Sequence, residues 1–288
     1  MRSLLFVPAD SERKLEKALA SGADALILDL EDSVSADAKP RAREIAAAFL
    51  RTNGSAAPSL FVRVNDLRSG LADADLDAVM AAAPAGIMLP KCEGPDDVMA
   101  LAMRLRVREA DNGLADGATR ILPIITETAR GVLHAHRFDR PLPRLAGLTW
   151  GAEDLAASVG ANAARDETGR FTHLFDMARS LTLLAASASD TAAIDTVYPD
   201  FRDEAGFRRS CEDGERDGFT ARMAIHPAQV EVINRVFTPS PAAIAAAQAV
   251  VDAFAARDDA GVVAIEGRMY DRPHLRAAER LLARAKNS

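Results

Sequence analysis

The chain has 288 residues, ordinary for a barrel of eight strand–helix units, and 49% are hydrophobic against 27% charged, the balance of a folded globule rather than a disordered or fibrous chain. A formal charge of −7 and a pI near 5.4 exclude a nucleic-acid binder with a general basic face, so the cations act locally, on small anions. Cys92 and Cys211 lack the spacing of a disulfide framework or zinc site and fit a reducing cytoplasm, and no apolar run reaches membrane-spanning length.

The opening run Met1-Arg-Ser-Leu-Leu-Phe-Val-Pro8 is too short for the apolar segment of a leader and reads as a first strand over 3–7. Asp10 or Ser11 caps a helix to Leu19, whose Leu15, Ala18 and Leu19 keep helical spacing, and Gly22 ends it. A second strand over 25–30 runs into Glu31 and Asp32; Pro40 opens a helix to Leu50, with Asn53-Gly54 as its exit. Strands over 60–64 and 86–89 flank a helix over 73–82, and a further helix spans 95–109. The run 120–128 is apolar without alternation, as in a strand buried on both faces, and finishes on Glu127.

A helix over 131–138 follows, then a sixth strand from Leu145 to Gly151 that delivers Glu153 and Asp154. After an excursion over 160–169 the alternation resumes with a helix over 174–187, a strand over 193–197, a helix over 201–217, a strand over 221–225 and a helix from Pro227 to Val236. Eight strands with intervening helices, and no GxGxxG after the first, predict a closed (β/α)8 TIM barrel rather than an open doubly wound sheet. Residues 1–238 form this barrel. Residues 239–288 are a C-terminal helical extension: an alanine-rich helix over 242–256, a short hairpin through Ile265 and Gly267, and a final helix from Pro273. A ninth unit has no place inside the barrel and is expected over a catalytic rim, its own or a neighbour's.

Several predicted strands aim a polar tip at one rim, where barrels of this kind meet their ligands. Glu127 and Asp154, on successive strands, are hard oxygen ligands with open positions left over, which suits Mg²⁺, with Mn²⁺ as a substitute. Arg63 offers a planar fork to a carboxylate. On the residues alone each has a rival use: a carboxylate at a strand end serves equally as a helix cap or ion-pair partner, and Arg63 as a bridge to Asp29 or Glu31. His226 before Pro227 reads by default as a loop-orienting histidine, and Trp150 as packing at the rim.

The motifs Leu28-Asp-Leu-Glu-Asp-Ser-Val34, Val62-Arg-Val-Asn65, Leu89-Pro-Lys91, Glu127-Thr-Ala129, Gly151-Ala-Glu-Asp154, Ile225-His-Pro-Ala-Gln229 and Gly267-Arg-Met-Tyr-Asp271, in this order along nearly the whole chain, resemble the citrate lyase β-subunit-like branch of the HpcH/HpaI aldolase family. The resemblance implies Mg²⁺ on Glu127 and Asp154, Arg63 on a substrate carboxylate, and Glu31 with Asp32 near the water shell of the metal. It further implies an acyl-CoA substrate, with Phe6, Lys14, Ile225 and His226 around the thioester, pantetheine and phosphates. Asp271 matches an aspartate that serves as acid/base in a neighbouring subunit's site, which implies a homotrimer or homohexamer.

The implied reaction is reversible cleavage of a malyl-CoA or citramalyl-CoA type ester to an acyl-CoA and a 2-oxo acid, glyoxylate or pyruvate. Alternatives are a CoA-independent class II aldolase, which needs the metal pair but not Asp271 or Lys14, and a citrate lyase β-type subunit acting on an acyl-carrier thioester. The chain departs from the family pattern at Ala221-Arg222, in place of Gly-Lys, with altered phosphate contacts expected. Ala9 stands in place of Gly after Val-Pro, expected to tighten the first loop. Thr126 precedes Glu127, and Trp150 crowds the Asp154 loop.

Overall fold

A computed structural model describes residues 1–54, 58–257 and 261–286. Eight parallel strands, β1 (Ser3–Pro8), β2 (Ala25–Asp29), β3 (Ser59–Arg63), β4 (Gly86–Leu89), β5 (Arg120–Pro123), β6 (Leu148–Thr149), β7 (Ala193–Asp195) and β8 (Ala221–Ala224), stand in the order β5-β4-β3-β2-β1-β8-β7-β6. Isolated parallel bridges Ile121–Leu145 and Ile124–Thr149 join the two ends of this sheet, so the barrel closes. The closing seam is short because Pro123 has no N–H, so the donor row that runs Ile121 N–H to Arg144 O and Ile125 N–H to Thr149 O lacks its middle member.

Around the strands run α1 (Glu12–Leu19), α2 (Lys39–Asn53), α3 (Ala72–Val79), α4 (Pro95–Asp111), α5 (Ala129–His134), α6 (Ala152–Val159), α7 (His173–Ala188), α8 (Glu204–Asp217) and α9 (Pro227–Phe237). Side chains alternate across each strand, so one set fills the barrel and the other meets the helices. Leu4, Ile27, Phe61, Met88, Leu122, Ile194 and Met223 pack inside; Leu5, Leu26, Val62, Ile87, Ile121, Leu148 and Trp150 pack outside with the helices.

Several expected elements are shorter than the sequence suggests, the sixth strand among them, which is Leu148–Thr149 rather than 145–151. The seventh strand stops at Asp195 rather than Val197 because the Thr196 N–H is taken by Asp195 Oδ1 at 2.9 Å and leaves the ladder. The helix expected from 201 begins at Glu204, where the Asp203 side chain accepts the Gly206 N–H. Ser11 stands at the start of α1 as expected but makes no side-chain cap bond.

The extension comprises α10 (Pro241–Ala255), the antiparallel hairpin β9 (Val262–Ile265) and β10 (Arg268–Asp271), and α11 (Arg272–Lys286). Glu266 and Gly267 turn the hairpin with positive φ, as a tight two-residue connection of this hand requires. These elements bury their own small core of Ala247, Val250, Phe254, Val263 and Ala278. The expectation that the extension could cover the rim of its own barrel is corrected: Arg284 donates to Phe237 O at 3.2 Å. Arg280 and Arg284 line a hollow of about 860 Å³ with Arg2, Thr191 and Thr220, at the amino ends of the strands. Among the described residues no helix is long and apolar enough to cross a membrane.

A buried ion pair pins the chain entering β5 to α4: Arg144 donates to both Glu109 oxygens at 2.6 and 2.7 Å, and the Thr119 and Gly117 N–H groups donate to the same carboxylate. Burial pushes the Glu109 carboxyl up, but these donors outweigh it and hold it down at about 2. Its contribution to stability is therefore complete above the ordinary carboxylate range and lost as the pH falls through about 2. Glu109→Gln should destabilise the protein by about 3 kcal/mol in urea unfolding at pH 7, since Arg144 loses its buried partner, and the difference should shrink in acid.

Candidate active site

The carboxyl ends of the strands surround a cavity of about 330 Å³, lined among others by Phe6, Asp29, Arg63, Glu127, Asp154 and Ile225. Parallel pairing with Asp29 opposite Arg63 puts both inward at the rim. Arg63 Nε and Nη2 donate to Asp29 Oδ1 and Oδ2 at 2.7 and 2.6 Å, its Nη1 lies 2.9 Å from Glu31 Oε2, and the guanidinium rests over the Phe6 ring at 4.9 Å. The rival use of Arg63 as a bridge is thus realised, but the fork still borders the cavity. Burial alone would raise the Asp29 carboxyl; the Arg63 hydrogen bonds override it and hold it below the usual range.

Lys91 follows β4 with φ at 50, in the left-handed region where a non-glycine residue is strained. That turn lets its two ends serve different acids. The backbone N–H donates to Glu127 Oε2, while Nζ pairs with Glu31 and lies 3.4 Å from both Asp154 Oδ1 and Asp32 Oδ2. Lys91 closes the motif Leu89-Pro-Lys91 at a strand end but has no role assigned from the sequence; the structure places it among the rim acids.

Glu127 is 3% exposed. Burial first, and then the nearby Asp154 carboxylate, push its carboxyl well above the usual range, against the Lys91 N–H and Arg63. Glu31 is raised as well, by burial, with Arg63 and Lys91 opposing. Gly151 is required by this closeness: a Cβ there would lie 2.7 Å from Glu127 Cγ. The acids Asp29, Glu31, Asp32, Glu127 and Asp154 outnumber the cations Arg63 and Lys91, and Glu127 and Asp154 hold each other's charge at a cost. Among the described residues no three His, Cys, Asp or Glu side chains converge to enclose a metal. Two carboxylates beside an open cavity nevertheless fit an oxygen-seeking divalent cation that keeps water and substrate as its other ligands.

Ile225 lines the cavity and is 41% exposed. His226 caps α9 through Nδ1, which accepts the Ala228 N–H, and stacks on Phe201 at 4.6 Å, so its default reading as a loop-orienting histidine agrees with the contacts it makes. Lys14 is exposed on α1 outside the cavity lining. Asp271 is brought instead to His274, whose Nδ1 is 2.5 Å from Oδ1, and not to the cavity of its own chain. Arg222 is fully buried on the helix side of β8, 3.5 Å from Asp195 and over the Phe207 ring, so it offers no phosphate contact. Cys92 and Cys211 are free and buried, and burial pushes the Cys211 thiol up to about 11.

Comparison with known proteins agrees with this geometry. The model of the HpcH/HpaI aldolase/citrate lyase family matches residues 2–227. A (3S)-malyl-CoA thioesterase of Cereibacter sphaeroides is 37% identical over 99% of this chain and 94% of its own, and a mitochondrial citramalyl-CoA lyase of Rattus norvegicus 32% over 99% and 86%. The solved structure of CitE from Mycobacterium tuberculosis in complex with magnesium, acetoacetate and coenzyme A superposes with a TM-score of 0.76 at 34% identity, covering 99% of this chain and 98% of that one. The chain is an enzyme, a lyase, and the acidic rim with its arginine fork on a parallel barrel is its candidate site. The chain belongs to the HpcH/HpaI aldolase/citrate lyase family.

Because Glu127 binds its proton more tightly in the fold than in the unfolded chain, the metal-free protein should lose stability as the pH rises above the ordinary carboxylate range. Metal-free Glu127→Gln should melt several degrees higher than the parent at pH 7.5, and the two curves should converge near pH 4, followed by thermal unfolding in chelator.

Proposed function

We propose that this protein is a Mg²⁺-dependent carbon–carbon lyase that reversibly cleaves a carboxylated 3-hydroxyacyl-CoA, of malyl-CoA or citramalyl-CoA type, into an acyl-CoA and glyoxylate or pyruvate. The observation that carries this reading is one cavity in which Arg63 faces Glu127 and Asp154. Relatives named for malyl-CoA and citramalyl-CoA, and a structural neighbour holding magnesium and coenzyme A, support it. Glu127 and Asp154 would hold Mg²⁺, or Mn²⁺ in its place, which when bound polarises a substrate oxygen as a Lewis acid.

Arg63 spends Nε and one Nη2 proton on Asp29 and turns Nη1 toward Glu31, and the protons left over would take the carboxylate of the oxo acid. Glu31, between Arg63 and Lys91, keeps both cations aimed at the cavity. Phe6 and Ile225 supply apolar wall for the acyl group, and Lys14 and His226 stand farther out for the pantetheine and phosphates. In the condensing direction Asp271 of a neighbouring copy takes a proton from the carbon beside the thioester, that carbon adds to the oxo-acid carbonyl, and the alkoxide so formed takes a proton from water. In cleavage the hydroxyl gives its proton back to water as the carbon–carbon bond breaks, and Asp271 returns its proton to the carbon. The hydrogen bond with His274 lowers the Asp271 carboxyl below its usual range, which makes it a weaker base than a free aspartate while it stays on His274.

A homotrimer or homohexamer would supply Asp271 in trans. The division into a barrel of 1–238 and an extension of 239–288 is supported by the separate core of the extension. Two buried free cysteines suit a reducing cytoplasm. A second reading, hydrolysis of the thioester of the same kind of ester to the free acid and CoA, is favoured by the name of the Cereibacter relatives.

Incubation with malyl-CoA and Mg²⁺ separates the two by mass spectrometry: acetyl-CoA plus glyoxylate supports the lyase, malate plus CoA the hydrolase. Arg63→Lys should raise the KM for the oxo acid at least about ten-fold in the condensing assay, because one point charge replaces the fork. Asp271→Ala should lower kcat by about a thousand-fold. Activity should partly return when Asp271→Ala and Glu127→Gln chains are unfolded, mixed and refolded together, since some sites then combine intact halves. No return would place Asp271 in its own chain's site or out of the reaction.

A further inference from the structure

Trp150 ends the strand that delivers Asp154, and its ring lies on the helix side of the barrel, fully buried. Its Nε1–H donates to Asp195 Oδ1 at 2.8 Å, and its ring meets the Phe171 ring edge-on at 4.9 Å. Asp195 is itself 1% exposed, on β7, two strand ends from Glu127 and outside the cavity lining. A buried carboxylate needs strong partners, and it has them. Arg179 Nη2 lies 3.3 Å and Arg222 Nη1 3.5 Å from Oδ2, while Oδ1 also accepts the Thr196 N–H. Nothing in the proposed reaction uses this network.

What it holds is the segment beside the cavity. The residue after Trp150 is Gly151, whose backbone passes so close to Glu127 that a Cβ would collide, and Asp154 sits three residues on, in the first turn of α6. Two like-charged groups crowd there and would part if the segment were loose. Thr149 O is tied to the Ile125 N–H, and the indole supplies the next fixed point along the chain. We infer that Asp195 is a positioning residue that acts through the Trp150 indole to hold the 151–154 segment against Glu127, and so keeps the carboxylate pair at cation-binding spacing. Arg222, where the family pattern has lysine, belongs to this network as one of the two cations that hold Asp195. The inference rests on the reading of Glu127 and Asp154 as the metal pair.

The test is direct binding of Mn²⁺, followed by the free-ion electron paramagnetic resonance signal, in the full-length protein without substrate. Trp150→Phe keeps the ring against Phe171 and removes the N–H, and it should weaken Mn²⁺ binding about ten-fold. Arg179→Gln, at a side chain 15% exposed, loosens Asp195 less severely and should weaken binding about three-fold; it also serves if Trp150→Phe does not fold. Glu109→Gln, remote from the cavity, should lower the melting temperature without moving Mn²⁺ affinity, so a loss through general destabilisation is told apart. Folded Trp150→Phe and Arg179→Gln proteins that bind Mn²⁺ as the parent does, while Glu127→Gln does not bind it, would overturn the positioning role alone. Parent-like binding by Glu127→Gln would overturn the metal reading on which it rests.

Discussion

The constraint on which the rest of the site depends is the burial of the Glu127 carboxylate. A charge so enclosed is costly unless hydrogen-bonded and paired, and its surroundings are arranged to carry that cost. Lys91 takes a strained left-handed backbone so that its N–H meets Glu127 while its ammonium reaches Glu31. Gly151 gives up its side chain to let the chain pass. Arg63 lies close enough to favour the ionised form, but it is itself shared with Asp29. The remaining excess of negative charge faces the cavity, where a divalent cation and an anionic substrate would complete it.

Strand alternation sorts the charged residues into two networks. Asp29 and Arg63 lie inward with Phe6 and border the cavity, whereas Asp195 and Arg222, paired in register on β7 and β8, lie outward with Trp150, Phe207 and the helices. The inner network has open protons and exposed edges suited to substrate. The outer one is sealed, so its energy goes into fixing backbone. Both converge on the stretch from Trp150 to Asp154.

The extension has the opposite character. Its hairpin and two helices bury a core of their own, lean on the amino end of the barrel through Phe237, and leave Asp271 with His274 in solvent. A carboxylate paired with a histidine and outside the lining of its own chain's cavity suits a group proposed to work on another copy. On the proposed reaction, such an arrangement would link activity to assembly.

The apolar runs of the chain determined the barrel. Residues 25–29, 60–63, 86–89 and 120–123 lack alternation because both strand faces are covered, and the polar residues at or just past their ends, Asp29, Arg63, Lys91 and Glu127, stand at the rim. Glu127, Asp154, Arg63 and the hairpin at Glu266-Gly267 were legible for that reason, since they depend on local pattern. Pairings were not. A bridge from Arg63 to Asp29 or Glu31 was among the options, but that Lys91 splits its two ends between Glu31 and Glu127, and that Arg222 is buried against Asp195, follow from register between strands far apart in sequence. A shift of one residue exchanges inside for outside, and no local signal reports it. The seventh strand and the closing seam were misjudged in length for a related reason. A side-chain oxygen and a proline ring removed donors that periodicity counts as present. Composition and spacing named the groups at the rim, and only tertiary structure decided which of them are already spent on one another.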